Sequence, residues 1–291
     1  MNKNFVITCS TPCDMSQYYL RKHEMYYVGF YYYLNDEKFM DDFFTTHSVD
    51  EFYNKIKTSN VKTSQPDPEQ YVALWTKLIS QGNDILHVEL SSGLSGAVNS
   101  ALIAKSMLVE KNIDAKIYIV DSKTGSCGIG LSLDKIYDFK QQNNDIDKVF
   151  EYAEKIKNDI NVIFIVESLD QLIKGGRLSK LAGGIGKLLN IVPILHVDNE
   201  GKLESIKKSR GLAGAINDLT NLMTENFIDG EKIFIANSNC EDSARLMVDK
   251  IKEKLSTASV SYDNINSIGA LIGCHTGEKC IVVSYLGRGK I

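Results

Sequence analysis

The sequence contains little proline and no long hydrophobic run. Its 291 residues include 4 Pro and 21 Gly, with 43% apolar and 24% charged residues. This composition is typical of a globular protein and excludes disordered, collagen-like and low-complexity classes. No apolar stretch approaches the roughly 20 residues that cross a bilayer. The run Phe5-Val6-Ile7 is also too short for the hydrophobic region of a secretory signal. We therefore expect a cytoplasmic protein.

Concentrated charge and cysteine motifs are absent as well. The 33 Lys and Arg residues against 37 Asp and Glu give a formal charge of −4. Since no basic stripe is present, a nucleic-acid partner is disfavoured. The six cysteines match neither a zinc ribbon nor a CxxC motif. Free thiols in a reducing compartment are therefore expected, with no metal site.

Several catalytic motifs are also missing. No G-x-G-x-x-G follows the first strand pattern, which disfavours a nicotinamide enzyme. The segment 183–187 resembles a phosphate loop, but Leu181 and Leu188 stand where the motif needs Gly and Ser/Thr. Close helix packing explains its small residues better. No G-x-S-x-G elbow occurs, although Ser92 or Ser95 could still form a triad with His275 and Asp121.

The sequence does contain an alternation of strand and helix patterns. Apolar residues recur with helical spacing over 71–78 and 97–108. Strand patterns occupy 5–8, 26–34, 85–90, 116–121, 162–167, 192–197, 203–208, 232–236 and 281–286. Such an alternation predicts an α/β protein with mainly parallel sheets.

The second half of the chain departs from this alternation. Residues 198–201, Asp-Asn-Glu-Gly, lie between two strand patterns and predict a hairpin, hence a mixed sheet. A polar stretch over 141–147 precedes a helix pattern that continues to Lys157. We place a boundary near residues 150–160, which divides the chain into 1–155, with a mainly parallel sheet, and 156–291, with a mixed sheet.

A Ser/Gly loop follows the strand pattern at 85–90. Residues 91–96 read Ser-Ser-Gly-Leu-Ser-Gly and precede a helix that begins near Ala97. Hydroxyls and free backbone N–H groups at a helix N-terminus form an anion site. The alternative is a simple N-cap in which Ser95 caps the helix and the glycines turn the chain.

Two further segments carry polar groups in turns. Thr63 and Ser64 precede the turn Gln65-Pro66-Asp67-Pro68. His275 lies in a glycine-flanked turn, Gly273-Cys274-His275-Thr276-Gly277, where an imidazole could bind an anion or act as a base. In isolation, turn structure is the more common explanation of either segment.

Arg177 follows a glycine pair. Gly175-Gly176 breaks a helix, and a new helix is expected near Ser179. We therefore predict that Arg177 occupies an exposed corner.

Taken together, these segments resemble the DegV family of bacterial fatty-acid-binding proteins. The resemblance covers nearly the whole chain, because short matches occur in order along it. They are Val6–Thr11, Thr63–Pro66, Ser91–Gly96, Asp121-Ser122, Lys174–Arg177, Leu188–Ile194, Ser209–Gly211 and Ile272–Gly277.

The resemblance implies two α/β domains with a long-chain fatty acid in a tunnel between them and no other cofactor. It also implies a partner, a separate ATP-dependent fatty acid kinase that converts the bound acid to acyl phosphate, and is compatible with transient membrane-surface contact. Arg177 matches the family's kinase-facing element. The implied carboxylate-binding residues are Thr63, Ser64, Ser92, Gly93, Ser95, Gly96, His275 and Thr276.

Two departures from the family pattern concern loops near the expected carboxylate. Cys9 precedes Ser10 where the family usually has Asp-Ser, and Glu278-Lys279 replaces the usual Pro-Gly. A serine acyl-hydrolase and a regulatory protein with a structural fatty acid are the alternatives.

Overall fold

The computed structural model describes residues 4–111, 113–178 and 190–291, and most strands in these ranges follow the apolar patterns of the sequence. The strands are β1 Phe5–Ser10, β2 Tyr26–Val28, β3 Tyr31–Leu34, β4 Glu37–Met40, β5 Val61–Ser64, β6 Asp84–Glu89, β7 Ile117–Asp121, β8 Ile160–Ile165, β9 Ile191–Val197, β10 Leu203–Arg210, β11 Ile233–Asn237, β12 Ile265–Ser267 and β13 Ile281–Leu286.

The helices connect these strands. They are α1 Gln17–Lys22, α2 Val49–Ile56, α3 Pro68–Ser80, α4 Ala97–Glu110, α5 Cys127–Gln142, α6 Ile146–Ile156, α7 Asp170–Lys174, α8 Gly211–Thr224, α9 Glu241–Lys254 and α10 Ala270–Thr276. Short 3-10 helices span Thr11–Cys13 and Tyr262–Asn264. The two helices predicted from spacing are confirmed as α3 and α4. The predicted helix near Ser179 and the 183–187 segment lie outside the described residues.

Two large sheets confirm the α/β fold class. The first has the order β2-β1-β6-β7, and all its pairs are parallel. The second has the order β10-β9-β8-β13-β11-β12 and is mixed, since only β11 and β12 pair in parallel. The predicted hairpin is confirmed between β9 and β10, where the amide of Gly201 donates to the carbonyl of Asp198 at 3.0 Å.

A third, smaller sheet of order β4-β3-β5 was not predicted. The single strand expected over 26–34 is wrong, because the chain breaks at Gly29 and Phe30. Its first part joins the parallel sheet as β2, and its second part joins the small sheet as β3. The small sheet brings Thr63 and Ser64, at the end of β5, close to α10.

Helix α5 packs between the two large sheets. It contacts β6 of the first sheet and β8, β11 and β13 of the second. Its residues Cys127, Ile129, Leu131 and Leu133 are buried in one hydrophobic cluster that also contains residues of β1 and β8. This cluster joins the sheets and leaves a cavity at the carboxyl end of β6, the position where open α/β sheets bind ligands.

Two expectations concern features of the whole chain. All six cysteines are free thiols, as expected, and five of them are buried. In the described part of the chain, no helix has the length and apolar character needed to span a membrane.

Candidate functional site

A mostly apolar cavity of about 320 Å³ lies between the mixed sheet and the carboxyl end of the parallel sheet. Residues of the mixed sheet, the small sheet, α10 and the loop that follows β6 surround it. Its apolar wall is formed by Phe30, Leu90, Leu94, Val162, Phe164, Leu172, Val197, Leu203, Leu271, Ile272 and Val282. A largely apolar cavity with a few polar groups is the usual form of a small-molecule site.

The polar groups of the cavity wall include Thr63, Ser95, Arg177 and His275, which we call the polar pole. The Thr63 hydroxyl and Nε2 of His275 are hydrogen-bonded at 2.9 Å. This contact joins the end of β5 to α10. The structure thus brings together two segments whose predicted roles could not be connected from sequence spacing.

His275 is neutral at physiological pH in this setting. Burial lowers its pKa to about 4, and the positive charge of Arg177 contributes to the same shift. Its Nδ1 atom is buried and has no hydrogen-bond partner in the described structure. Gly175 leaves the space that the ring occupies, since a Cβ there would lie 2.4 Å from Nδ1. His275 can therefore donate one hydrogen bond.

The prediction of an exposed corner for Arg177 is wrong, although the helix break before it is confirmed at the end of α7. Arg177 is only partly exposed, because its Nε donates to the Leu94 carbonyl at 3.2 Å and its Nη1 to the Gly175 carbonyl at 2.5 Å. The guanidinium therefore connects the Ser/Gly loop to the α7 turn and adds positive charge to the cavity wall.

The remaining predicted cavity residues have partners of their own. The Ser95 hydroxyl accepts from the Ala97 amide at 3.2 Å, although Gly96 is the N-cap residue of α4, and Ser95 also lines the cavity. Ser64 lies 3.5 Å from the Tyr33 hydroxyl. Thr276 donates to the Ile272 carbonyl at 3.1 Å. All three line the cavity, as does Gln65, which sequence reasoning missed.

Ser92, Gly93 and Gly96 do not line the cavity, contrary to the expectation. Ser92 is exposed, and its hydroxyl donates to Asp121 Oδ2 at 2.5 Å. Gly93 packs against the β9–β10 hairpin, since an added Cβ would lie 2.5 Å from the Gly201 carbonyl oxygen. Gly96 is exposed, and a Cβ added there would lie 2.5 Å from Oε1 of Gln65. The loop's N–H groups are also less free than predicted, because four of them bond to Ser91 or Asp121.

A buried polar network fixes the start of this loop. The Glu89 carboxylate, at the end of β6, accepts from four groups: the Ser10 hydroxyl at 2.5 Å, the Tyr71 hydroxyl at 2.6 Å, His87 Nε2 at 3.0 Å and the Leu90 amide at 2.7 Å. Glu89 and these side chains are fully buried. The network thereby orients the strand end from which the Ser/Gly loop begins.

Two buried carboxylates anchor the other end of α10. Asp14 accepts from the Gly269 amide at 2.8 Å, and Asp41 accepts from the Ala270 and Leu271 amides at 3.3 and 3.2 Å. Their oxygens satisfy amides of the first turn that have no partner within the helix. Since α10 carries His275 near its other end, both aspartates help to position the polar pole.

The two departures from the family pattern lie outside the cavity. Cys9 is buried in the hydrophobic cluster, where a hydrogen bond with Cys13 and burial raise its pKa. Glu278 pairs with Lys57 at 2.8 Å, and Lys279 pairs with Glu167 at 2.7 Å. Neither departure removes a group from the polar pole.

The fold and site define a class of α/β proteins with a buried apolar cavity between two sheets. The sequence matches the family model of the DegV family over residues 4–288. It is 32% identical to a DegV domain-containing protein of Clostridium perfringens over 99% of both chains. It is also 30% identical to one of Staphylococcus aureus over 99% of this chain and 100% of the other. The chain belongs to the DegV family.

Solved structures share the fold at lower identity. A DegV family protein of Eubacterium eligens loaded with heptadecanoic acid is 21% identical, with a TM-score of 0.87 over 98% of this chain and 100% of the other. The fatty acid kinase B3 protein of Streptococcus pneumoniae loaded with linoleic acid is 23% identical, with a TM-score of 0.85 over 97% of this chain and 99% of the other.

Proposed function

We propose that the protein binds one long-chain fatty acid in the cavity, with its carboxylate at the polar pole. The observation that carries this proposal is the Thr63–His275 contact at one end of a mostly apolar cavity. The fatty acids held by the Eubacterium eligens and Streptococcus pneumoniae proteins of the same fold support the ligand class. The division of the chain at 155/156 into two domains is part of this proposal.

The carboxylate requires donors because burying an unpaired charge is costly. Arg177 supplies the positive charge, and hydroxyl and imidazole groups supply hydrogen bonds. If His275 donates from Nε2 to the Thr63 oxygen, the Thr63 hydroxyl proton can donate to the carboxylate. Ser95 supplies a second hydroxyl. We assign the carboxylate to Thr63, Ser95 and Arg177, with His275 orienting the Thr63 hydroxyl and with Ser64 and Thr276 beside them.

We further propose that the protein is a non-catalytic subunit that presents the acid to a separate fatty acid kinase. The likeness to the Streptococcus pneumoniae fatty acid kinase B3 protein supports this partner. Arg177 lines both the cavity and a cleft on the outer side of the polar pole, so it can contact the ligand and an approaching partner.

A serine acyl-hydrolase is less well supported. In a Ser-His-Asp triad the imidazole stands between nucleophile and carboxylate. Ser92 instead contacts Asp121 directly, and Lys123 Nζ donates to the same hydroxyl at 2.9 Å. His275 bonds Thr63, and the Ser95 hydroxyl accepts from the Ala97 amide. The proposed triads are therefore not assembled.

Ser95→Ala should weaken palmitate binding, since it removes a donor to a buried carboxylate. Such a bond contributes roughly 1.5–3 kcal/mol, or about a tenfold to hundredfold change in affinity. Ser92→Ala is the matched control from the same loop and should bind like the wild type. Displacement of a fluorescent fatty acid from delipidated protein measures both variants.

Equal affinities for the two serine variants would contradict the assignment of Ser95. Steady p-nitrophenyl ester hydrolysis that either substitution abolishes would favour the hydrolase instead. Acyl phosphate production with an added fatty acid kinase tests the partner, and wild-type protein that binds palmitate without supporting turnover would contradict that part of the proposal.

A further inference from the structure

The described wall of the cavity contains one polar side chain that is not close in sequence to the polar pole. Ser64 and Gln65 follow Thr63, and Thr276 follows His275, whereas Ser126 comes from the start of α5. Ser126 is almost completely buried. Its hydroxyl group therefore needs hydrogen-bond partners, because burying a polar group without them is costly.

Ser126 does not act as an ordinary helix cap. It is the N-cap residue of α5, but its side chain accepts no hydrogen bond from the first turn of the helix. Its backbone φ of 55° lies in the left-handed region, which is unfavourable for a residue with a Cβ. The hydroxyl instead donates to Oδ2 of the buried Asp14. The usual capping role of serine therefore does not account for this residue.

The Ser126 oxygen can still accept a hydrogen bond. A hydroxyl group has one proton and two lone pairs, and here the proton is donated to Asp14. Within the described ranges, no N–H or O–H group donates to this oxygen. The thiol of Cys127, the next residue, is directed at the Phe234 and Val282 carbonyls at 3.6 and 3.7 Å. A hydrogen-bond acceptor in the cavity wall thus remains unused.

Ser126 and the polar pole lie at opposite ends of α10. Asp14, the partner of Ser126, also accepts from the amide of Gly269, just before this helix, whereas His275 lies near its other end. At 1.5 Å per residue, the segment from Gly269 to His275 spans about 9 Å. An extended chain advances about 1.2 Å per bond, as a polypeptide does. About eight bonds of an acyl chain therefore separate the carboxylate from a group beside Ser126.

We propose that the cavity accepts long-chain fatty acids with a hydroxyl group in the middle of the chain, and that this hydroxyl donates to Ser126. This inference rests on the proposed function and specifies its substrate class. The hydrogen bonds run from the ligand hydroxyl to Ser126 and from Ser126 to Asp14, so each proton has an acceptor. Each bond in such a series strengthens the next, and a carboxylate is a strong final acceptor.

Other polar groups fit this position less well. A carbonyl group has no proton to donate to Ser126. A second carboxylate on the ligand would be repelled by Asp14. An ammonium group has three donors, more than one hydroxyl oxygen can accept.

The experiment uses full-length, delipidated protein at pH 8, above the pKa of Asp14, which burial raises to about 7. Stearate, 10-hydroxystearate, 10-oxostearate and 2-hydroxystearate are titrated by displacement of a fluorescent fatty acid. The 10-oxo group can only accept, and the 2-hydroxyl group lies beside the carboxylate, far from Ser126. The variants are Ser126→Ala, Ser126→Gly and, as a control outside the cavity, Ser92→Ala.

Wild-type protein should bind 10-hydroxystearate at least as tightly as stearate and about tenfold more tightly than 10-oxostearate, the effect of one buried hydrogen bond. Ser126→Ala should weaken 10-hydroxystearate about tenfold relative to stearate and leave the ratio of 2-hydroxystearate to stearate unchanged. Because both acids are measured on the same variant, a change in the folded fraction cancels in the ratio.

Ser126→Gly should give the same ratio as Ser126→Ala. Glycine adopts a positive φ without strain, so this variant removes the hydroxyl and relieves the backbone at the same time. Ser92→Ala should change no ratio, since Ser92 does not line the cavity.

If stearate and 10-hydroxystearate weaken in parallel, or not at all, in both Ser126 variants, the inference is overturned and fatty-acid binding stands. Wild-type protein that binds 10-oxostearate as tightly as 10-hydroxystearate would have the same consequence, and this comparison needs no variant. Wild-type protein that binds none of the four acids would instead contradict the proposed function.

Discussion

Glu89→Ala should lower the free energy of unfolding by about 3–5 kcal/mol, the effect of removing one member of a buried charged network. The substitution leaves buried donors of Ser10, Tyr71 and His87 without their acceptor. It also frees the Leu90 amide at the start of the Ser/Gly loop. Urea unfolding of delipidated protein measures the change.

Glu89→Gln should cost less than Glu89→Ala. The amide oxygen still accepts, while the hydroxyl groups can rotate and His87 can change its tautomer to accommodate the amide N–H groups. Glu253→Ala is the control, because this exposed side chain pairs with Lys250 on the same helix. If Glu89→Ala unfolds at the same urea concentration as this control, the network does not stabilise the loop.

Asp14 and Asp41 should each contribute a loss of stability as the pH rises from about 4 to 7, whereas His275, whose pKa is lowered to about 4, contributes in the opposite direction. Burial raises the pKa of Asp14 to about 7, despite hydrogen bonds from Ser126 and the Gly269 amide. Burial likewise raises the pKa of Asp41 to about 6. Free aspartate titrates near pH 3.9, so in this range the unfolded chain has released protons that the native state retains.

Asp14→Asn should remove the Asp14 contribution to this pH dependence and stabilise the protein above pH 7. The asparagine oxygen can still accept from the Gly269 amide, and its NH₂ group can donate to Ser126, so both contacts survive without a buried charge. Asp263→Asn, at an exposed position, serves as the control. Urea unfolding at pH 5, 6, 7 and 8 measures how the free energy of unfolding changes with pH.

If the free energy of unfolding changes with pH equally in Asp14→Asn and in the wild type, Asp14 does not titrate in this range.

Asp41→Asn should behave differently from Asp14→Asn. Both Asp41 oxygens accept from helix amides, and an asparagine NH₂ group would face one of those N–H groups. Asp41→Asn should therefore destabilise the protein even at pH 8.

Most strands of the two large sheets could be predicted because they are apolar, whereas β12, which reads Ile-Asn-Ser, was not predicted. Strands β6, β8 and β13 are buried along their whole length. The small sheet could not be predicted, since β4 and β5 read Glu-Lys-Phe-Met and Val-Lys-Thr-Ser and are largely exposed or half-buried. The aromatic run at 26–34 also concealed a change of sheet at Gly29, because both of its parts have strand character.

The site was predicted only in part, for a related reason. A turn sequence indicates which hydroxyls are available, but not which way each one points. Ser92 and Ser95 lie in one loop, yet Ser92 faces Asp121 and Ser95 faces the cavity. The contacts that decide the role of Arg177 join it to Leu94, which is distant in the sequence. Glu89, Asp14 and Asp41 carry no local motif, because their partners come from separate elements.

Native mass spectrometry of protein purified without added lipid tests the central claim most directly. We predict one non-covalent adduct with the mass of a single long-chain fatty acid, which denaturation releases to leave an unmodified polypeptide. Added oleate or palmitate should then stabilise the delipidated protein, by about 2.7 kcal/mol at a hundredfold excess over the dissociation constant. A spectrum of unliganded protein alone, with no thermal shift on addition of either acid, would contradict the claim.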